Sequence, residues 1–275
     1  MSKCCVYMVN QHPLYMNMAY HSVTMLRRHS KVPVRLFLIT DAAQSTFTTE
    51  RIFPGLDITL DAAALNTIGE TLVRKMTAMD VDVRVRTPHP AEPTFVHTNQ
   101  SYMATECPED IVFFLDADTF VFDDIERVMD DYSDCDVVAM AARWPRREPA
   151  WKPEWFNHAT PLTTCLMLFR NGTAARWGEF LPAMCCEYAE GASEISRWIR
   201  QTGIMHLREE LSLTPFVIRN GLRWQLFKDE HCGEIRDGKT LSKSVVCHTF
   251  AYNWTKAYRA LTNGKDLPLL PKAFF

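Results

Sequence analysis

The stretch Ile111-Val112-Phe113-Phe114-Leu115-Asp116-Ala117-Asp118-Thr119 decides how this chain reads. Its apolar part is too short, and too rich in β-branched and aromatic residues, for a helix, so it predicts a fully buried strand. Two carboxylates at the carboxyl end of such a strand sit where open α/β sheets bind ligands. Separated by one small residue, Asp116 and Asp118 can share a hard divalent cation, which favours oxygen ligands and also holds substrate phosphates. A lone Asp-x-Asp is weak, because acids at strand ends are common. The following Thr119 and the renewed apolar run Phe120-Val121-Phe122 make it more specific.

Upstream, Cys4 to Val9 reads as a first strand, and Asn10-Gln11-His12-Pro13 as its exit turn. Over 14–29, Tyr15, Met18, Ala19, Ser22, Val23 and Leu26 fall on one helical face. Lys31-Val32-Pro33 breaks that helix, and Val34 to Thr40 forms a second strand ending at Asp41. Strand, helix, strand at these lengths predicts a right-handed βαβ unit opening a parallel sheet. The weaker stretch that follows reads as a strand over 58–65 and a helix over 68–79, with a Pro- and His-bearing loop over 87–98.

Downstream, a short helix is expected over 123–132, its early acids suiting the amino-terminal dipole. Strands are expected over 137–142 and 164–169, and helices over 173–190 and 193–201. Late in the chain a strand over 245–250 precedes a helix over 256–261. Between Arg143 and Pro161, arginines alternate with Trp144, Trp151, Trp155 and Phe156 in a Pro-rich loop. Such a loop either stacks its aromatic faces on a sugar, grips a phosphate-bearing acceptor with its arginines, or simply buries its tryptophans.

At 275 residues the chain has ample length for a buried core. Hydrophobic content of 47% and charged content of 23% are ordinary for a soluble globular protein. A net charge of -3 gives no general electrostatic reason to bind nucleic acid or anionic membrane, though it does not exclude nucleic acid. Nine cysteines include two adjacent pairs and no zinc-type CxxC spacing, so a reduced compartment is expected. The amino terminus has no apolar core of a signal peptide, and no stretch approaches the roughly 18 apolar residues of a membrane span. A cytoplasmic protein without a membrane anchor is the expectation.

Leu115 to Thr119 match the Leu-Asp-Ala-Asp-Thr motif of the glycogenin-like, family 8 glycosyltransferases, and the chain resembles that family further. Those proteins open with a strand, then a tyrosine and small residues on the first helix, which Tyr15, Ala19 and Ser22 fit. The resemblance holds over residues 4–40 and 95–170 and loosens in the last third. It implies the GT-A nucleotide-sugar transferase fold, a Rossmann-like mixed sheet flanked by helices. It also implies one domain over 1–275, with a nucleotide-binding part over about 1–142 and an acceptor-binding part over about 143–275.

The resemblance implies a manganese or magnesium ion held by Asp116, Asp118 and a late histidine, for which His248 in the run Val245 to Trp254 is the counterpart. Alone, His248 would read as a core histidine. The donor would be a UDP-sugar. Tyr15 would stack on its base, the backbone of Val9 and Asn10 would meet the base edge, and Asp41 would hold base or ribose. Ala117 would lie against the donor and Lys256 would grip its diphosphate. Glu209 or Glu210 would serve as general base in an inverting enzyme, or orient the sugar in a retaining one. Lys256 is slightly displaced from the family position, Asn99-Gln100 replace a basic residue, and Thr163-Thr164-Cys165 stand where the family has Asn-small-Gly. Sugar and stereochemistry therefore stay open.

Two other functions fit less well. Haloacid-dehalogenase-type phosphatases also place Asp-x-Asp after an apolar strand, using the first carboxylate as nucleophile. Their pattern wants Thr or Val where Phe120 stands, and a motif nearer the amino terminus. A non-catalytic module that only binds a nucleotide-sugar is the other.

Overall fold

A computed structural model describes residues 1–40, 62–89, 96–141, 162–202, 208–235, 244–249 and 251–262. Asp41 and the aromatic loop over 143–155 lie outside the described residues. The chain divides into two compact units. The first comprises Cys4–Pro88, Leu115–Asp131 and Lys228–Phe275; the second comprises Met1–Lys3, His89–Phe114 and Tyr132–Phe227. The architecture is mixed α/β, and the strands of a seven-stranded mixed sheet are shared out between the units.

The first unit opens with β1 (Lys3–Asn10), α1 (Pro13–His29) and β2 (Val34–Ile39), and β1 and β2 pair in parallel with Val9 opposite Leu38. This is the expected βαβ opening. Pro13 begins α1 at a position where a missing N–H costs nothing, and His12 caps it, its Nδ1 accepting the Leu14 N–H at 3.3 Å. Arg27, Arg28 and His29 close the last turn, where the helix dipole favours cations.

Next come α2 (Ala62–Thr77) and β3 (Val81–Arg86), the latter parallel to β2, so this unit runs β3-β2-β1. Two expectations fail here. Residues 62–65 begin a helix, not a strand: three consecutive alanines favour helix, and a short apolar run is ambiguous by pattern alone. The strand β3 had no forecast, because Val81, Val83 and Val85 alternate with Asp82, Arg84 and Arg86 over too few residues to stand out. Its charges suit an edge. Asp82 bridges Arg35 at 2.9 Å and Arg84 at 3.0 Å, and the two guanidinium groups hold its carboxyl below the usual range against burial, which pushes it up.

The second unit holds a 3-10 helix (Val96–Tyr102), so the expected loop over 87–98 ends early. It continues through α3 (Met103–Glu106) and β4 (Ile111–Leu115), every residue of β4 being buried. At Leu115 the chain enters the first unit again, through β5 (Thr119–Val121) and α4 (Ile125–Asp130). Asp124 caps α4 by accepting the Glu126 N–H at 3.0 Å.

Back in the second unit lie β6 (Val137–Ala141), β7 (Leu162–Arg170), α5 (Thr173–Glu190), α6 (Glu194–Thr202), α7 (Arg208–Arg219) and β8 (Trp224–Leu226). Its strands run β4-β7-β6-β8, with β6 antiparallel to β7 and parallel to β8. Trp177 of α5 is fully buried and donates its indole N–H to Gln100 Oε1 at 2.9 Å, which satisfies a donor that would otherwise be costly inside the core. The first unit closes with β9 (Cys232–Ile235), β10 (Val246–Thr249) and α8 (Ala251–Thr262), a helix that starts ahead of the expected 256–261. Strands β5, β10 and β9 form a separate small sheet, with β10 antiparallel to β5 and parallel to β9. All nine cysteines are free thiols, and most are buried as small hydrophobes.

Candidate metal and donor site

The small sheet builds the site. Its register sets His248 of β10 directly opposite Thr119 of β5, so the imidazole emerges on the same face as the residue after the aspartate pair. Strand β4 ends at Leu115, and Asp116-Ala117-Asp118 form the turn into β5. The Thr249 N–H donates to the Asp118 carbonyl oxygen at 3.1 Å, tying the turn to β10. As a result His248 Nε2 lies 3.1 Å from Asp118 Oδ1 and 3.8 Å from Asp116 Oδ2. Asp118 and His248 are buried, and Asp116 is partly open to solvent.

This donor set fits a hard or borderline divalent cation. Two carboxylate oxygens and one imidazole nitrogen suit manganese- or magnesium-class metals. With metal–ligand bonds of about 2.1 Å, neighbouring ligands of an octahedron stand about 3.0 Å apart, close to the His248–Asp118 separation. The hydroxyl of Thr119 is buried beside them without a partner. The structure thus brings His248 within 4 Å of both Asp116 and Asp118.

Tyr15, in the first turn of α1, stands close enough for both carboxylates to act on it. Burial pushes its phenol up, and the charges of Asp118 and then Asp116 push it further. Val9 and Asn10 end β1 and are buried, and the Asn10 Oδ1 has no hydrogen-bond partner although it is buried. Ala117 is buried within the turn, and Lys256 is exposed on α8. Glu209 and Glu210 lie in the first turn of α7, in the second unit, where Glu209 is buried and Glu210 half-buried. Asp41 lies outside the described residues.

Two histidines escaped the sequence reading. His12 caps α1 and stands edge-on to Tyr15, with ring centroids 5.6 Å apart. Burial pulls its imidazole down to about 4, so it is neutral at ordinary pH. The sequence signal was present, a polar residue immediately before Pro13. His21 sits edge-on to Phe120, Trp254 and Tyr258, and is pulled down to about 4 by burial and then by Arg28. Trp254 stacks on Phe120 at 6.0 Å and on Tyr258 at 4.9 Å, so this aromatic group joins α1, β5 and α8 behind the aspartate turn. Nothing in the local sequence around His21 signals that contact, which depends on the folding of α8.

Among the described residues, no helix is long and apolar enough to cross a membrane. No protein-family model and no curated protein matches the sequence. Solved structures do match the fold. The galactosyltransferase LgtC, solved with donor and acceptor sugar analogues, aligns with a TM-score of 0.54 at 11% identity over 98% of each chain. An active-site mutant of LgtC aligns with the same TM-score of 0.54 at 12% identity, again over 98% of each chain. The bifunctional glycosyltransferase WbbM aligns with a TM-score of 0.53 at 11% identity, over 90% of this chain and 45% of its own. At such identities the likeness is one of fold, and the fold of this chain is the GT-A fold of the glycosyltransferases.

Proposed function

We propose that this chain is a metal-dependent glycosyltransferase that moves a sugar from a nucleoside-diphosphate donor, a UDP-sugar, to an acceptor hydroxyl. The observation that carries the reading is the convergence of Asp116, Asp118 and His248 at the carboxyl end of β4. Asp116, Asp118 and His248 would hold a divalent cation, which would supply Lewis-acid stabilisation of the charge on the departing diphosphate. Tyr15, beside the carboxylates and braced by His12, offers its ring face to the base. Asn10 presents a buried side-chain carbonyl oxygen in want of a donor at the end of β1. Lys256 is the cation on α8 for the diphosphate. Glu209 or Glu210 acts on the acceptor hydroxyl or orients the donor sugar, and the whole chain works as one transferase domain in the cytoplasm.

The phosphatase reading is not favoured, since the fold is that of the glycosyltransferases. The test is calorimetric titration of UDP and a panel of UDP-sugars, with and without manganese. Tight binding only with metal, followed by slow donor hydrolysis, supports the transferase. Metal-dependent binding with no turnover of any donor supports the binding module, and absence of binding sinks both.

A further inference from the structure

Thr119 stands directly after the aspartate turn, at the first position of β5, and it is fully buried. Its Oγ1 has no hydrogen-bond partner among the described residues. A buried hydroxyl left unpaired costs stability, and valine, with the same branched shape, would fill this strand position without that cost. An orphaned polar group inside a native core calls for a partner of another kind, a bound ion or a water.

The ladder between β5 and β10 fixes the side to which this hydroxyl belongs. The Thr249 N–H donates to the Asp118 carbonyl oxygen at 3.1 Å, and the Phe122 N–H donates to the Val245 carbonyl oxygen at 2.8 Å. Thr249 with Asp118, and Val245 with Phe122, are thus hydrogen-bonded pairs of the antiparallel ladder. His248 and Thr119, one step along, form a pair that shares no backbone bond, the kind whose facing side chains approach most closely. Strand alternation sends the neighbouring Phe120 to the opposite face, where it meets His21 and Trp254. Thr119 therefore shares its face with His248, whose Nε2 stands 3.1 Å from Asp118 Oδ1.

We propose that the Thr119 hydroxyl is a positioning group of the cation site, bonding a water carried by the ion and not the ion itself. Hard cations of the magnesium and manganese class keep several of their waters, and Asp116, Asp118 and His248 leave octahedral positions open for them. A water polarised by the ion is a strong donor, and a threonine oxygen accepts from it. That bond ties the hydration of the ion to β5 and leaves the remaining positions to the donor phosphates. The proposal deepens the metal-dependent reading above and rests on it.

The experiment uses the full chain with manganese alone, and compares wild type with Thr119→Val and Thr119→Ser. Paramagnetic resonance of the free metal gives the affinity. Nuclear relaxation of the solvent water gives the exchange rate of water on the bound ion, and thermal unfolding without metal gives the stability. Thr119→Val binds manganese about tenfold more weakly, the loss typical of an outer partner, whereas Thr119→Ser stays within about threefold of wild type. Water exchange quickens in the valine variant and returns to the wild-type rate in the serine variant. The metal-free valine variant melts no lower than wild type, since it loses an unpaired hydroxyl and keeps its shape. A merely structural hydroxyl would instead lower the melting temperature and leave the exchange rate alone. Unchanged affinity or exchange in Thr119→Val overturns the proposal, as does an equal loss in Thr119→Ser. So does a metal-free valine variant that melts lower or fails to fold. A wild type that binds no manganese overturns the metal reading itself, and the proposal with it.

Discussion

The backbone N–H of Thr249 donates to the carbonyl oxygen of Asp118 at 3.1 Å. That bond clamps the aspartate turn against β10 at the point where His248 enters the site. The candidate ligands therefore stand beside strand ends, whose positions are set by paired backbone, and not on a loose loop. His248 Nε2 thus stands within 4 Å of a carboxylate oxygen of each aspartate.

Replacing either aspartate by its amide should abolish metal-dependent nucleotide binding. Asp118→Asn and Asp116→Asn keep the side-chain size but remove the charge that attracts the cation. Since losing even an outer partner of a metal ligand costs about 10–100-fold, a direct ligand should cost at least about 100-fold. Calorimetry with manganese and UDP measures this, and chelator should reproduce the loss in the wild type. Unchanged affinity in Asp118→Asn would remove the metal assignment.

His248→Ala should weaken manganese binding by a similar factor and should leave metal-free nucleotide binding alone. The histidine is buried, so some stability will go with it through the cavity left behind, about 1–3 kcal/mol. His248→Gln, which refills part of that space, separates the two effects. If it restores stability but not manganese affinity, measured by the metal's paramagnetic resonance, the ligand role stands.

Stability should fall as pH drops from about 6.5 to about 4. The folded chain keeps His12 and His21 neutral until about pH 4, whereas the unfolded chain protonates them near 6.5. Across that window the unfolded state binds more protons, so stability rises with pH; above it neither state is protonated, and below it both are. Across the whole window each histidine contributes on the order of 3 kcal/mol. His12→Asn, which retains a capping side chain, should reduce the proton uptake on unfolding by close to one near pH 5, read from urea titrations across pH 4 to 7. An unchanged slope would refute the burial argument.

Gly178→Ala should destabilise the second unit. A Cβ at Gly178 would lie 2.3 Å from the Ala104 backbone nitrogen and 2.9 Å from its Cα, and backbone cannot move aside as a side-chain end can. The expected cost is at least about 1–3 kcal/mol, that of an overpacked core. Denaturant unfolding of the variant checks it, and a loss below about 0.5 kcal/mol would show that α3 and α5 separate easily.

By itself, the sequence determined the elements whose signal is local. The buried run of β4 with its two acids, the β1-α1-β2 opening and the long helix over 173–190 are written in short windows of hydrophobic periodicity and capping residues. Those same windows misread residues 62–65, where an apolar run of alanines carries no period, and passed over β3, whose charges make sense only at an edge. The tertiary structure alone decided what pairs with what. His248, named by the resemblance, reaches the aspartates because β10 lies antiparallel to β5 in one register, and a slip of one residue would turn its imidazole to the other face. His12 beside Tyr15 and the amide couple of Gln11 and Asn66 likewise depend on chain segments meeting across the fold. Such contacts follow from packing over long sequence separations, which no local pattern encodes.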